Sequence, residues 1–149
     1  MFTDSKQMIR PAALPDLAQI AAVESGQPFS ALWGYEGLKK ELENKFALML
    51  VYEDGGKILG FISARGVAPD CELLNFAVDK NFTKRGFGQK LLAALKENLA
   101  RAGFKKITLE VNENNAAALA LYKKNGFNAL SKRKGFYNGE DALLMENIL

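Results

Sequence analysis

Between residues 71 and 113 the chain changes its hydrophobic period twice, and this constrains the fold more than any other feature. CELLNFAVD (71–79) reads as a strand bounded by turn signals. From Gly88 the apolar positions Leu91, Leu92, Leu95, Leu99 and Ala102 fall on one helical stripe, which Gly103 stops. KKITLEVNE (105–113) then sets Ile107, Leu109 and Val111 against Thr108, Glu110 and Asn112, the period of two that belongs to a strand. Between the first strand and the helix stand two glycines one residue apart, Gly86 and Gly88, behind Lys84 and Arg85. A helix N-terminus in that setting can receive an anion, because its first N–H groups have no partner inside the helix. A close backbone approach would call for the same glycines.

The remaining elements follow from the same rules. QMIRPA (7–12) predicts a first strand, PDLAQIAAVES (15–25) a helix with an acidic first turn, and YEGLKKELEN (35–44) a second helix. FALMLVYED (46–54) and KILGFISARGVA (57–68) flank the turn signal Asp54-Gly55-Gly56 and predict a hairpin. Asn114 or Asn115 can cap a helix running to Lys124, with Gly126 just beyond it. FNALSKRK (127–134) and DALLMENIL (141–149) predict closing strands around a turn at Asn138-Gly139. The order is β-α-α-β-β-β-α-β-α-β-β, an α/β chain. No repeat or linker interrupts it, so residues 1–149 are expected to form a single domain.

Composition excludes several kinds of chemistry. There is no histidine, which removes the commonest general base and the commonest metal ligand. With a single cysteine, Cys71, neither a zinc site of Cys and His nor a nucleophile paired with His can be assembled, so no metal site is expected. Cys71 reads as a small buried hydrophobe in a reducing compartment. The balance of 20 basic and 17 acidic residues is too mild for a nucleic-acid surface. MFTDSKQMIRPAAL has no apolar core of signal-peptide length. The longest apolar runs, FALMLVY and AAALALY, fall far short of a membrane span, and a cytoplasmic protein is expected.

The glycine pair does not belong to the two commonest phosphate loops. A dinucleotide loop follows the first strand and carries a third glycine, where this chain has Leu91. A nucleoside triphosphate loop requires GxxxxGK followed by Ser or Thr, which is absent.

The runs LLNFAVDKNFTKRGFGQKLL and ITLEVNENNAAALALYKKNGF, with the tail RKGFYNGEDALLM, resemble the GCN5-related N-acetyltransferase (GNAT) family. More narrowly, they resemble its RimI-like branch of ribosomal-protein-alanine N-acetyltransferases. That resemblance implies the GNAT fold, a mixed sheet of about seven strands flanked by about four helices. It implies acetyl-CoA as co-substrate, with its pyrophosphate on the backbone of Lys84, Arg85, Gly86, Phe87, Gly88 and Gln89. Pantetheine would run beside Asn75, Phe76, Ala77 and Val78 like an added strand, and Asn115 would also contact the cofactor. The implied catalytic pair is Glu110 as base and Tyr122 as acid. From the residues alone, Glu110 is an ordinary strand carboxylate, Tyr122 a packing aromatic and Asn115 a helix cap. Thr83 departs from the family, which usually has Gln or Arg there.

The implied acceptor is a protein or peptide N-terminus, specifically the N-terminal alanine of a ribosomal protein. Physical chemistry leans the same way. An α-amine, with pKa about 7.7–8.0, costs roughly 3.5 kcal/mol less to deprotonate at neutral pH than a lysine near 10.4. A small-molecule amine or a lysine side chain is the alternative acceptor, and a non-catalytic acetyl-CoA-binding regulator is a further one. The resemblance assigns the acceptor cleft to the first helical region and the last interstrand loop. Phe29, Trp33 and Tyr35 fall in the former, with core packing expected for at least two of them. The Pro-Trp-Ser common in the branch is Pro28-Phe29-Ser30 here, and Tyr137 matches a tyrosine of its tail, with Phe136 beside it in place of a common tyrosine. The basic run SKRKG (131–135) reads as a solvated face that could attract an acidic partner.

Overall fold

The computed structural model describes residues 7–149. These form seven strands, β1 (Gln7–Pro11), β2 (Ala47–Asp54), β3 (Lys57–Val67), β4 (Asp70–Val78), β5 (Lys106–Asn112), β6 (Asn128–Tyr137) and β7 (Glu140–Ile148). Four α-helices accompany them, α1 (Leu17–Ser25), α2 (Gly34–Leu42), α3 (Phe87–Arg101) and α4 (Ala116–Lys124). The order and number of elements agree with the expectation from sequence.

Several boundaries shift by a residue or two, and two of the differences have a clear physical reason. The helix expected from residue 15 opens as a separate 3-10 turn, Leu14–Asp16. The Asp16 carboxylate folds back to accept the Ala13 N–H at 2.7 Å and to pair with Arg10 at 2.7 Å. The last but one strand runs on to Tyr137 rather than ending near 134. Its residues are exposed from Asn128 to Phe136, so no alternation marks its length.

The strands form one sheet in the order β1-β2-β3-β4-β5-β7-β6. All neighbours are antiparallel except β4 and β5, which run parallel and pair only from Asp70–Glu72 to Lys106–Thr108. Beyond Glu72 the two strands separate, so Leu73–Val78 have no strand partner on that side. A register shift where Ser63 faces Asn75 and Ala64 faces Leu73 leaves Leu74 as the extra residue of a bulge in β4. Bulges of this kind bend a strand and re-aim its side chains.

Each face of the sheet carries a core. Leu50, Tyr52, Leu59 and Ile62 pack beneath α3 and α4, and Met49, Val51, Ile58 and Phe61 beneath α1 and α2. Helix α3 buries Leu91, Leu92, Leu95 and Leu99. At about 1.5–3 kcal/mol for each buried leucine, this holds the helix firmly while its first turn stays at the surface. Gly60 permits the approach, since a Cβ there would come within 3.0 Å of Leu91 Cδ1 and 3.1 Å of the Ala77 carbonyl. Cys71 lies in this same core, as expected, and burial pushes its thiol up to about 11.

Candidate active site

Where β4 and β5 part, a cleft of about 880 Å³ opens. Leu73–Val78 of β4 form its floor, the loop from Phe82 to Gln89 closes one end, and Leu121 and Tyr122 of α4 contribute a wall. Gln27–Ala31, between α1 and α2, and Tyr137, Asn138 and Glu140, at the β6–β7 turn, line the rest.

The glycine loop ends this cleft with a row of donors. Gly86, at φ 84°, is the residue that caps α3, a left-handed conformation that favours glycine. Lys84 also has positive φ, at 63°. The first helical bond runs from the Lys90 N–H to the Gly86 carbonyl at 3.1 Å. Among the described residues, no backbone or side-chain group accepts the N–H groups of Lys84 through Gln89. A row of unpartnered N–H groups at a helix N-terminus suits a diphosphate. Gly88 serves differently from Gly86, since a Cβ there would stand 3.5 Å from both Phe76 Cζ and Leu121 Cδ2, inside the cleft.

Lys84, Gly86, Phe87, Gly88 and Gln89 line the cleft, but Arg85 does not. Its guanidinium lies over the Phe82 ring at 5.3 Å. The Gln89 side chain is also committed elsewhere, in a reciprocal amide pair with Asn125 at 2.6 and 2.8 Å. Gln89 therefore offers the cleft only its backbone.

The floor is an unused sheet edge. The Asp79 N–H donates to the Leu59 carbonyl of β3 at 2.7 Å. Alternation along the strand then turns the backbone groups of Val78 and Phe76 away from β3 and into the gap. The Val78 carbonyl accepts from the Gln27 side chain, and the Phe76 groups remain for an extended ligand. Ala77 lines the cleft while its side chain packs in the core beneath α1.

Glu110 on β5 and Tyr122 on α4 both open onto this cleft. Glu110 Oε1 pairs with Arg133 of β6 at 3.3 Å, and its backbone carbonyl accepts from the Tyr137 hydroxyl at 3.4 Å. Tyr122 is 6% exposed, with Phe76 and Phe127 at ring distances of 6.3 and 5.4 Å. Burial, reinforced by Tyr137, pushes its phenol above the ordinary tyrosine range, so it holds its proton at neutral pH. Burial also raises Tyr137, with Glu110 adding to the effect. Asn115 lines the cleft and caps α4, its Oδ1 accepting from the Ala118 N–H at 3.3 Å. The cleft thus sets a carboxylate and a protonated phenol beside an open strand edge and an anion cradle.

Some expectations change here. Of the three aromatics near the first helices, only Trp33 packs against the core, while Phe29 and Tyr35 are exposed and Phe29 lines the cleft. The SKRKG run is exposed, as expected, with Lys132 paired to Glu113 at 3.1 Å and Arg133 to Glu110. Sequence reading missed Glu24, a carboxylate 1% exposed. It stands seven residues after Leu17 and four after Ile20, both fully buried, and that spacing on the apolar stripe was the available signal.

Comparison with known proteins agrees with this geometry. Residues 14–127 match the model of the acetyltransferase (GNAT) family. An Escherichia coli K12 [ribosomal protein bS18]-alanine N-acetyltransferase is 37% identical over 94 residues, 60% of this chain and 64% of that protein. A Bacillus subtilis protein provisionally assigned the same activity is 31% identical over 144 residues, 95% of each chain. The crystal structure of the ribosomal-protein-S18-alanine N-acetyltransferase from Escherichia coli superposes with a TM-score of 0.86 at 28% identity, covering 95% of this chain and 93% of that one.

Proposed function

The chain belongs to the GNAT acetyltransferase family and is an N-acetyltransferase, and on that premise we propose that its acceptor is a protein N-terminal α-amine. The specific reading is the N-terminal alanine of a ribosomal protein, the activity named for its relatives. The observation that carries the proposal is that the amide row, the open β4 edge, Glu110 and Tyr122 meet in one cleft. Acetyl-CoA supplies the acetyl group as a thioester. The Lys84–Gln89 amides suit its diphosphate, and the free Phe76 edge its pantetheine arm. The lone Cys71 fits a reducing, cytoplasmic setting.

Glu110 accepts a proton from the acceptor ammonium, directly or through a water, leaving a neutral amine. The amine nitrogen attacks the thioester carbonyl, forming the C–N bond. As the tetrahedral intermediate collapses and the C–S bond breaks, Tyr122 gives its phenolic proton to the departing sulfur. The tyrosinate is then reprotonated by the proton shed from nitrogen, Glu110 passes its proton to water, and the balance closes on an amide, a free thiol and one released proton. Arg133 occupies Glu110 as a cation that the incoming ammonium replaces.

The test uses a peptide that begins with alanine and contains a lysine, with mass spectrometry locating the acetyl group. Acetylation is expected on the α-amine, and blocking that amine abolishes it. Rate rises with pH as the amine, pKa about 7.7–8.0, loses its proton, and Glu110→Gln lowers it most at low pH. Acetyl groups only on lysine, or turnover of polyamines alone, would refute the acceptor assignment.

A further inference from the structure

The Glu24 carboxylate, at the end of α1, accepts three hydrogen bonds from two other elements. Its Oε2 takes the Trp33 N–H at 2.7 Å and Asn75 Nδ2 of β4 at 2.7 Å, and its Oε1 takes the Gly34 N–H at 3.0 Å. Asn75 is 3% exposed. Among the described residues no Lys or Arg pairs with Glu24, so these donors alone satisfy a carboxylate sealed from water. The Glu24 carbonyl also accepts the Ser30 hydroxyl at 2.6 Å. The loop between α1 and α2 is therefore hung from one side chain at its far end. It is tied through Asn75 to β4 one residue past the bulge, and at its near end by Gln27 on Val78.

We propose that Glu24 is a positioning residue for the acceptor. It touches neither reactant, but it fixes the Gln27–Ala31 wall at a set distance from β4, and so sets the width of the cleft where the acceptor's first residues enter. This rests on the acceptor reading above. The diphosphate cradle at Lys84–Gln89 is built on α3 and makes no bond to this network, so the cofactor keeps that hold when the network is lost.

Glu24→Gln keeps the shape but leaves one acceptor oxygen for three donors and turns an NH2 toward an N–H. The expected result is a rise of roughly tenfold or more in KM for the alanine-leading peptide, with acetyl-CoA Kd by calorimetry within about twofold of wild type. Amide exchange at Trp33 or Gly34 should accelerate, with the helical amides of α3 unchanged. Asn75→Ala severs the far-end tie to β4, including the Ala31 N–H on Asn75 Oδ1 at 3.4 Å, yet leaves Trp33 and Gly34 bonded and Gln27 on Val78. It should raise peptide KM in the same direction, and the double variant should be non-additive with Glu24→Gln. If Glu24→Gln does not fold, Asn75→Ala decides alone. Unchanged peptide KM in a folded variant, or acetyl-CoA Kd weakened as much as peptide KM, overturns the proposal. A wild type that acetylates no peptide refutes the acceptor reading instead. The same KM comparison then uses the amine it does acetylate, and the exchange measurement needs no acceptor.

Discussion

Tyr122→Phe separates chemistry from packing more cleanly than any other change in this site. The ring sits between Phe76 and Phe127, and a phenylalanine keeps both contacts. Among the described residues the hydroxyl has no hydrogen-bond partner, so its removal forfeits no bond and unfolding stability should stay within about 0.5 kcal/mol. If the hydroxyl protonates the leaving thiolate, kcat should fall by about 10²- to 10⁴-fold. At 1.36 kcal/mol per tenfold, that is about 2.7–5.4 kcal/mol of transition-state stabilisation, while acetyl-CoA affinity stays near wild type.

The pH profile adds a second check on Tyr122. The phenol acts in its protonated form, which persists below its folded pKa, and burial moves that pKa upward from the usual value near 10. Wild-type kcat should therefore show no descending limb below about pH 10 from loss of this acid. Single-turnover measurements with saturating acetyl-CoA report the chemical step directly. A folded Tyr122→Phe variant with a single-turnover rate within about twofold of wild type would refute the assignment and leave Tyr122 a packing residue.

Two further outcomes follow from the structure. Gly88→Val should weaken acetyl-CoA binding at least tenfold, about 1.4 kcal/mol, in a folded protein, because its Cβ faces Phe76, Val78 and Leu121 across the cleft; calorimetry with unchanged affinity would remove the loop from the site. Asp16→Asn should destabilise the fold at pH 7 by about 1.5–3 kcal/mol, because Asp16 is bonded to Arg10 and the Ala13 N–H. The Arg10 guanidinium holds this carboxyl below its ordinary value, so the stability it contributes is fully present above its unfolded pKa near 3.9 and lost as pH falls through the lower folded value. Denaturant melts should therefore show the variant's deficit shrinking below about pH 3.9, and a deficit independent of pH would exclude the ion pair as its cause.

What the sequence makes legible is burial that repeats. The α3 leucines and the β5 alternation announce themselves because each sits on a core that accepts one face. Strand β6 does not, since both its faces are exposed. Phe29 and Tyr35, exposed rather than in the core, are illegible for a related reason. An aromatic side chain carries the same apolar signature on a core as on the rim of a cleft, and only the position of the loop distinguishes them. Glu24 shows the converse, a charged residue at a buried helical position, where its polarity masks the period.

The site itself is built largely from interactions the elements do not make. Among the described residues β4 and β5 stop pairing after Glu72, Phe76 presents backbone groups to no strand, and the Lys84–Gln89 amides find no acceptor. Absent pairings leave no periodicity in a chain, so composition and pattern are silent about them. Their trace survives only where a missing contact demands a particular residue. Gly86 adopts a positive φ where the amides turn outward, and any side chain at Gly88 would project toward Phe76 and Leu121 in the cleft. The proposed acid and base carry no such mark, because a glutamate on a strand and a tyrosine on a helix are ordinary in themselves. They become a pair only when the parting of β4 and β5 brings both to one opening, which is why the glycines could be weighed on physical grounds and Glu110 and Tyr122 needed the family's spacing.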